Sequence, residues 1–209
     1  TVKMLQHKSR VLNKVSSLVF KYLSIELTDN IEFLRDLMTN YILSWIESPQ
    51  TRYSAMLILN VAGKFYFSTI LLPNVFNITS SKFEILWNSA ISDDISMRIA
   101  ACKCIDAHFR GLPLVSDKKD REDVVLSIFN NCMNQFKNRQ PSNHGPVLIC
   151  SSIFKNSLFH LIDVPKLINA LLEEVNVKSE ILILSTFSLL LEIEKKMPHL
   201  FTSEIINTI

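Results

Sequence analysis

The sequence predicts an all-α chain, an α-solenoid of antiparallel helix pairs. The first observation is a rhythm: a one-sided apolar stripe at helical spacing is followed by a nearly solid apolar run, and the couplet occurs four times. Stacked helical hairpins need this alternation, with one helix half wet and the next covered on most sides. The second is scarcity of glycine. Only Gly63, Gly111 and Gly145 are present, where an average chain of this length carries about 15. That shortage argues against sheets with tight hairpins and against glycine-rich phosphate loops. The third is the placement of the seven prolines. Pro49, Pro73, Pro113, Pro141, Pro146, Pro165 and Pro198 are read as lying between periodic segments or at their starts, as helices require.

The segment Val2 to Leu27 reads as a helix or half-repeat. Leu34, Leu37, Met38, Tyr41, Ile42, Trp45 and Ile46 form the first stripe, and Met56 to Leu59 with Val61 and Ala62 the first solid run. The second couplet is Phe83, Leu86, Trp87, Ala90 and Ile91, then Met97 to Cys102 with Cys104, Ile105 and Ala107. Trp87 is expected deep in the core. The third is Val125, Ile128, Phe129, Cys132, Met133 and Phe136, then Val147 to Cys150 with Ile153 and Phe154. The acidic residues Asp120, Glu122 and Asp123 suit the N-terminus of its first helix. Asp163 and Pro165 read as a cap leading into Val164, Leu167, Ile168, Leu171, Leu172 and Val175. The last dense run is Ile181 to Leu184 with Phe187 and Leu189 to Leu191.

Arg52, Arg98 and His144 open successive dense runs and are each 46 residues apart; the fourth run starts near Ser179, 35 residues further on. Repeats of about 40–47 residues built from helices are HEAT or armadillo units, whereas shorter helical repeats have periods near 33–34. The whole chain, 1–209, is thus predicted as a single solenoid fragment. Its repeats are expected at about 31–66, 76–110, 120–160 and 163–195, with a further helix starting in 199–209. The absence of an initial Met and the unfinished apolar pattern at Ile209 mark it as a piece of something longer.

Composition excludes more than it assigns. A net charge of +2 gives no reason to expect nucleic-acid binding. Cys102, Cys104, Cys132 and Cys150 lie inside apolar helical patterns, which suits core packing in a reducing compartment. Cys102 and Cys104 are two residues apart on a helix and point to different faces, so they do not form a zinc pair. The longest solid apolar stretch, Ile181 to Leu191, falls short of the ~20 residues a bilayer needs, and no secretory signal is visible.

The remaining motifs carry little chemistry. Val61-Ala62-Gly63-Lys64 mimics the strand that presents a kinase's phosphate-binding lysine, but it ends a helical run and no glycine-rich loop precedes it. His7, His108, His144, His160 and His199 are scattered, and a catalytic site needs a partner group and a pocket. No nucleophile elbow occurs. The basic residues Lys3, Lys8, Arg10, Lys14 and Lys21 read as a solvated helix face, with a membrane-surface helix, a transit peptide or a nucleic-acid patch as the functional alternatives. Asn77-Ile78-Thr79 fits a glycosylation acceptor, which is empty without export. Catalytic, cofactor-binding and metal residues are therefore read as none, and the partner-binding residues are unassigned.

One succession of motifs resembles a known family. Tyr41-Ile42-Leu43-Ser44-Trp45, followed by Arg52-Tyr53-Ser54-Ala55-Met56-Leu57-Ile58-Leu59, is similar to part of the N-terminal HEAT region of the target-of-rapamycin (TOR) kinases. Phe83, Trp87, Asp93 and Arg98-Ile99-Ala100-Ala101-Cys102 continue the likeness. So do Asn143-His144-Gly145 before Val147-Leu148-Ile149, and Pro198-His199-Leu200-Phe201. The order agrees over residues 31–205. Departures are the short stretch Gly111 to Lys119, Pro146 where a small residue is usual, and no long insertion between Asp163 and Lys178. They mark either a divergent, compact member or a different large solenoid.

The resemblance implies a non-catalytic scaffold segment of a Ser/Thr protein kinase in nutrient and growth signalling. It implies complex assembly, with a raptor-type regulatory subunit and a second TOR copy as protein partners. ATP and magnesium would belong to the parent's kinase domain, so no cofactor is expected in this segment. The implied location is the cytoplasm, with the vacuolar or lysosomal endomembrane surface, through peripheral association, and the nucleus as further places. The alternative is a generic HEAT or armadillo adaptor serving transport or a phosphatase.

Overall fold

A computed structural model describes residues 42–65, 81–115 and 118–201. Among them lie seven α-helices and no strand. The helices are α1 Arg52–Phe65, α2 Ser81–Ala90, α3 Ile95–Val115, α4 Lys118–Phe136, α5 His144–Lys155, α6 Val164–Glu174 and α7 Glu180–Lys196. The all-α class expected from the apolar periodicity is therefore the class observed. The chain divides into two compact units. One is Thr1–Ala90 with Asp94–Asp117, the other Ile91–Asp93 with Lys118–Ile209.

In the first unit, α3 is the central element, with both α1 and α2 packed on it. Asp94 starts α3: its Oδ1 accepts the N–H groups of Ser96 (2.9 Å) and Met97 (3.3 Å), two donors a helix start leaves without intrahelical partners. The face of α1 is made by Ala55, Met56, Ile58 and Leu59, all buried. On α3, Ala100, Ala101 and Ala107 are buried too, small side chains that add little bulk between packed helices. α1 and α3 come close enough for the Cys104 thiol to donate to the Met56 carbonyl at 3.0 Å. Full burial of each Leu or Ile here is worth roughly 1.5–3 kcal/mol.

Arg52, first residue of α1, reaches backwards. Its Nε donates to the Ile46 carbonyl at 2.9 Å and an Nη donates to the Glu47 carbonyl at 3.3 Å. These carbonyls end the 3-10 turn Ser44–Ile46, and a cation suits that negative end. The arginine at the head of a dense run is thus a strut between consecutive elements. Thr51 assists, its hydroxyl donating to the Trp45 carbonyl at 2.9 Å.

In the second unit the stripe on α4 is buried as spaced: Val125, Ile128, Phe129, Cys132, Met133 and Phe136. α4 packs on α5 and α6, and α7 packs on α5 and α6. Asp163 caps α6, its Oδ1 accepting from Lys166 N–H at 3.0 Å, with Pro165 in the first turn. Phe154, buried, closes the end of α5 against Phe159 with ring centroids 5.3 Å apart. The Lys196 ammonium, from the end of α7, lies 5.3 Å from the Phe159 centroid and donates to the Phe154 carbonyl. It also pairs with Glu192 at 3.6 Å.

Several expectations need correction. Trp87 is half-buried rather than deep in the core; Phe83, Leu86 and Ala90 carry the buried face of α2. Pro113 lies within the last turns of α3, not between elements. A proline there has no N–H to give the Phe109 carbonyl, so the helix lacks that one bond in its last turns. The last dense run is not covered on most sides. Leu182, Leu189 and Leu190 are buried, but Ile181, Leu184 and Leu191 are exposed, Leu184 at 62%. The segment Val2 to Leu27 and its basic residues, Leu34 to Tyr41, Pro73, Asn77-Ile78-Thr79 and residues 202–209 lie outside the described residues.

Candidate protein-interaction surface

The residues with chemical potential are mostly sealed. Cys102, Cys104, Cys132 and Cys150 are free and buried. Burial pushes the Cys102 thiol up to about 12, against the pull of Arg98. It raises Cys104 further in the same direction. Neither is a thiolate at neutral pH, so neither is a nucleophile or a ready metal ligand. His108 is buried, and desolvation lowers its pKa to about 3, so it stays neutral beside the Phe109 ring. Val61 to Lys64 are helical, not strand. No group of three or more His, Cys, Asp or Glu side chains is positioned for a metal among the described residues. No described helix is long and apolar enough to cross a membrane.

His144 is buried at the start of α5. His160 is exposed, with Nδ1 3.0 Å from the Ser157 carbonyl. A carbonyl only accepts, so Nδ1 carries the proton. His160 borders a cleft of about 140 Å³ with Arg121, Glu122, Leu158 and Leu161. His199 is exposed in the 3-10 turn Pro198–Leu200.

The Asn143-His144-Gly145 motif has a partner that spacing did not disclose. Asn143 is fully buried, and its Nδ2 donates to Glu174 Oε1 at 3.0 Å. Glu174 is itself buried at the end of α6. Burial raises its carboxyl above the ordinary value of 4.5, against the Asn143 hydrogen bond and the Arg139 charge, which lower it. Next to it, Glu173 pairs with Arg139 at 2.8 Å on the surface. Two consecutive glutamates thus tie the segment leading into α5 to the end of α6.

Two features face solvent. The first is the apolar stripe Ile181, Leu184 and Leu191 on α7. The second is a groove of about 470 Å³ between α4 and α6. Met133, Phe136 and Ala170 form its floor, and Asn130, Asn134, Lys137, Lys166, Asn169 and Glu173 its rim. The rim side chains are all exposed. Sequence reading passed over the groove because asparagines on a solvated face look like ordinary surface. The available signal was the one-turn spacing of Asn130 and Asn134 around the buried Met133.

Comparison with family models, with curated proteins and with solved structures yields no match to this chain. The functional argument therefore rests on surfaces and packing.

Proposed function

We propose that this chain is a non-catalytic scaffold segment built from HEAT- or armadillo-like antiparallel helix pairs, belonging to a TOR-type Ser/Thr protein kinase. The observation that carries the scaffold reading is the pattern of packing in the second unit. α4 packs on α5 and α6 on α7; across the pairs α4 packs on α6 and α5 on α7. First helix against first and second against second is how repeats share a continuous core. In this reading the Ile181, Leu184 and Leu191 stripe is the seat of a following pair, because a repeat without a polar cap presents apolar surface. Such a stack offers extended faces to protein partners, here a raptor-type subunit or a second copy of the kinase.

The assignment to TOR kinases draws support from the ordered motifs, with Arg52 acting as the strut that an arginine-led second helix supplies. The test is the parent transcript. Continuation into a C-terminal lipid-kinase-like catalytic domain is the expected result. A complete short reading frame would overturn the kinase assignment and favour a generic HEAT or armadillo adaptor.

A further inference from the structure

We infer that the groove between α4 and α6 holds an extended, acidic peptide segment of a protein partner. The inference rests on the scaffold reading only in taking the partner to be a protein. Asn130 and Asn134 stand one turn apart on the exposed face of α4, and Asn169 faces the same groove from α6. A carboxamide offers both a donor and an acceptor, the complement of a peptide unit's C=O and N–H. Asn134 Oδ1 already accepts from Lys137 Nζ at 3.0 Å, so its amide N–H groups are the part it has to offer an incoming carbonyl. From Asn130 to Lys137 the helix rises about 10 Å, the length of about three extended residues.

The floor fits backbone reading rather than side-chain capture. Phe136 and Met133 are 4% and 8% exposed, so the floor is apolar and offers no polar group of its own. Every rim polar group is exposed, unlike the few convergent buried groups that orient a small molecule. Charge then selects the occupant. Of the charged side chains lining the groove, Lys137 and Lys166 are cations, and the carboxylate, Glu173, is balanced by Arg139 at 2.8 Å, so the net charge is positive. Two cations favour an acidic segment. A nucleic-acid strand fits less well, since it needs stacking platforms, and the floor's aromatic ring, Phe136, is buried.

The probe is a fluorescein-labelled peptide of about eight alternating serine and glutamate residues, titrated with the full 209-residue chain and read by fluorescence anisotropy at low ionic strength. Saturable one-to-one binding is expected. K137E/K166E should weaken it at least about tenfold through charge reversal. N130A/N134A should weaken it by roughly tenfold through lost backbone hydrogen bonds. K155E/K195E, which removes two exposed lysines outside the groove, should leave it unchanged. All these positions are exposed, and a thermal melt matching wild type verifies the fold of each variant. The inference is overturned if no saturable binding occurs, if the control pair weakens binding as much as the groove lysines, or if the asparagine variant binds like wild type. It is also overturned if a single-stranded RNA of matching length displaces the peptide at lower concentration. A kinase domain found downstream with no peptide binding would sink this inference alone. Peptide binding with no kinase domain would sink only the TOR assignment.

Discussion

At Glu174, one carboxyl sits where water cannot reach it. One of its oxygens has Asn143 Nδ2 as donor, and the other, Oε2, has no hydrogen-bond partner; Asn143 Oδ1 is equally open. A protonated Glu174 supplies a hydroxyl donor that an ionised one lacks, so the neutral form suits the site. Its folded pKa is raised, so its contribution is fully present below the ordinary value of 4.5 and is lost as pH rises through the raised folded value. Arg139 and Glu173 are the other charges acting on it. Glu174→Gln, which stays neutral, is expected to melt at or above wild type at pH 7. That advantage should shrink as the pH falls to about 4, when wild type is protonated as well. Denaturant midpoints at the two pH values measure this. Burial also ranks the aromatics. Phe154→Ala should cost about 3–5 kcal/mol, as large core truncations do, whereas Trp87→Ala, half-buried, should cost distinctly less. Urea melts of the two variants, in which Trp87→Ala proved the more damaging, would reverse that ranking.

The helix ends divide into those with a chemical signature and those without one. Asp163-Val164-Pro165 is legible in the sequence because a capping carboxylate and a first-turn proline are residue types the helix start demands. The end of α5 is not legible. Ser157 takes φ 57°, its N–H donates to the Phe154 carbonyl at 3.1 Å, and Leu158 N–H donates to the Ile153 carbonyl at 2.9 Å. This is a Schellman closure, which glycine normally makes and sequence reading looks for glycine to find. Ser157→Gly should therefore stabilise the chain by about 1 kcal/mol, measured as a raised urea midpoint, by removing the left-handed penalty on a β-carbon. The buried stripe of α4 was legible to the last residue because helical periodicity is a local property. The Asn143–Glu174 bond was not, because its partners are 31 residues apart and both are polar types usually found outside. The groove escaped for a related reason: a rim of asparagines and lysines has no period that separates it from ordinary solvated surface.

Across the molecule, the question is whether these helices behave as stacked pairs. The exposed Ile181, Leu184 and Leu191 stripe gives a stacked array a sticky end. The chain is expected to self-associate with rising concentration in light scattering, and L184E/L191E should restore a monodisperse monomer without lowering the thermal midpoint. Association unchanged in that variant would place the contact elsewhere. The most direct test of the stacked-pair account is native-state hydrogen exchange in the second unit. α5 is packed by both α4 and α7, whereas α7 carries the open stripe. In an array whose stability is a sum of local pairs and neighbour contacts, opening proceeds from the weaker pair. The account predicts that amides in the middle of α5 outlast those in the middle of α7, each helix with its own exchange free energy. A single exchange free energy shared by α4 to α7, equal to that of global unfolding, would contradict it.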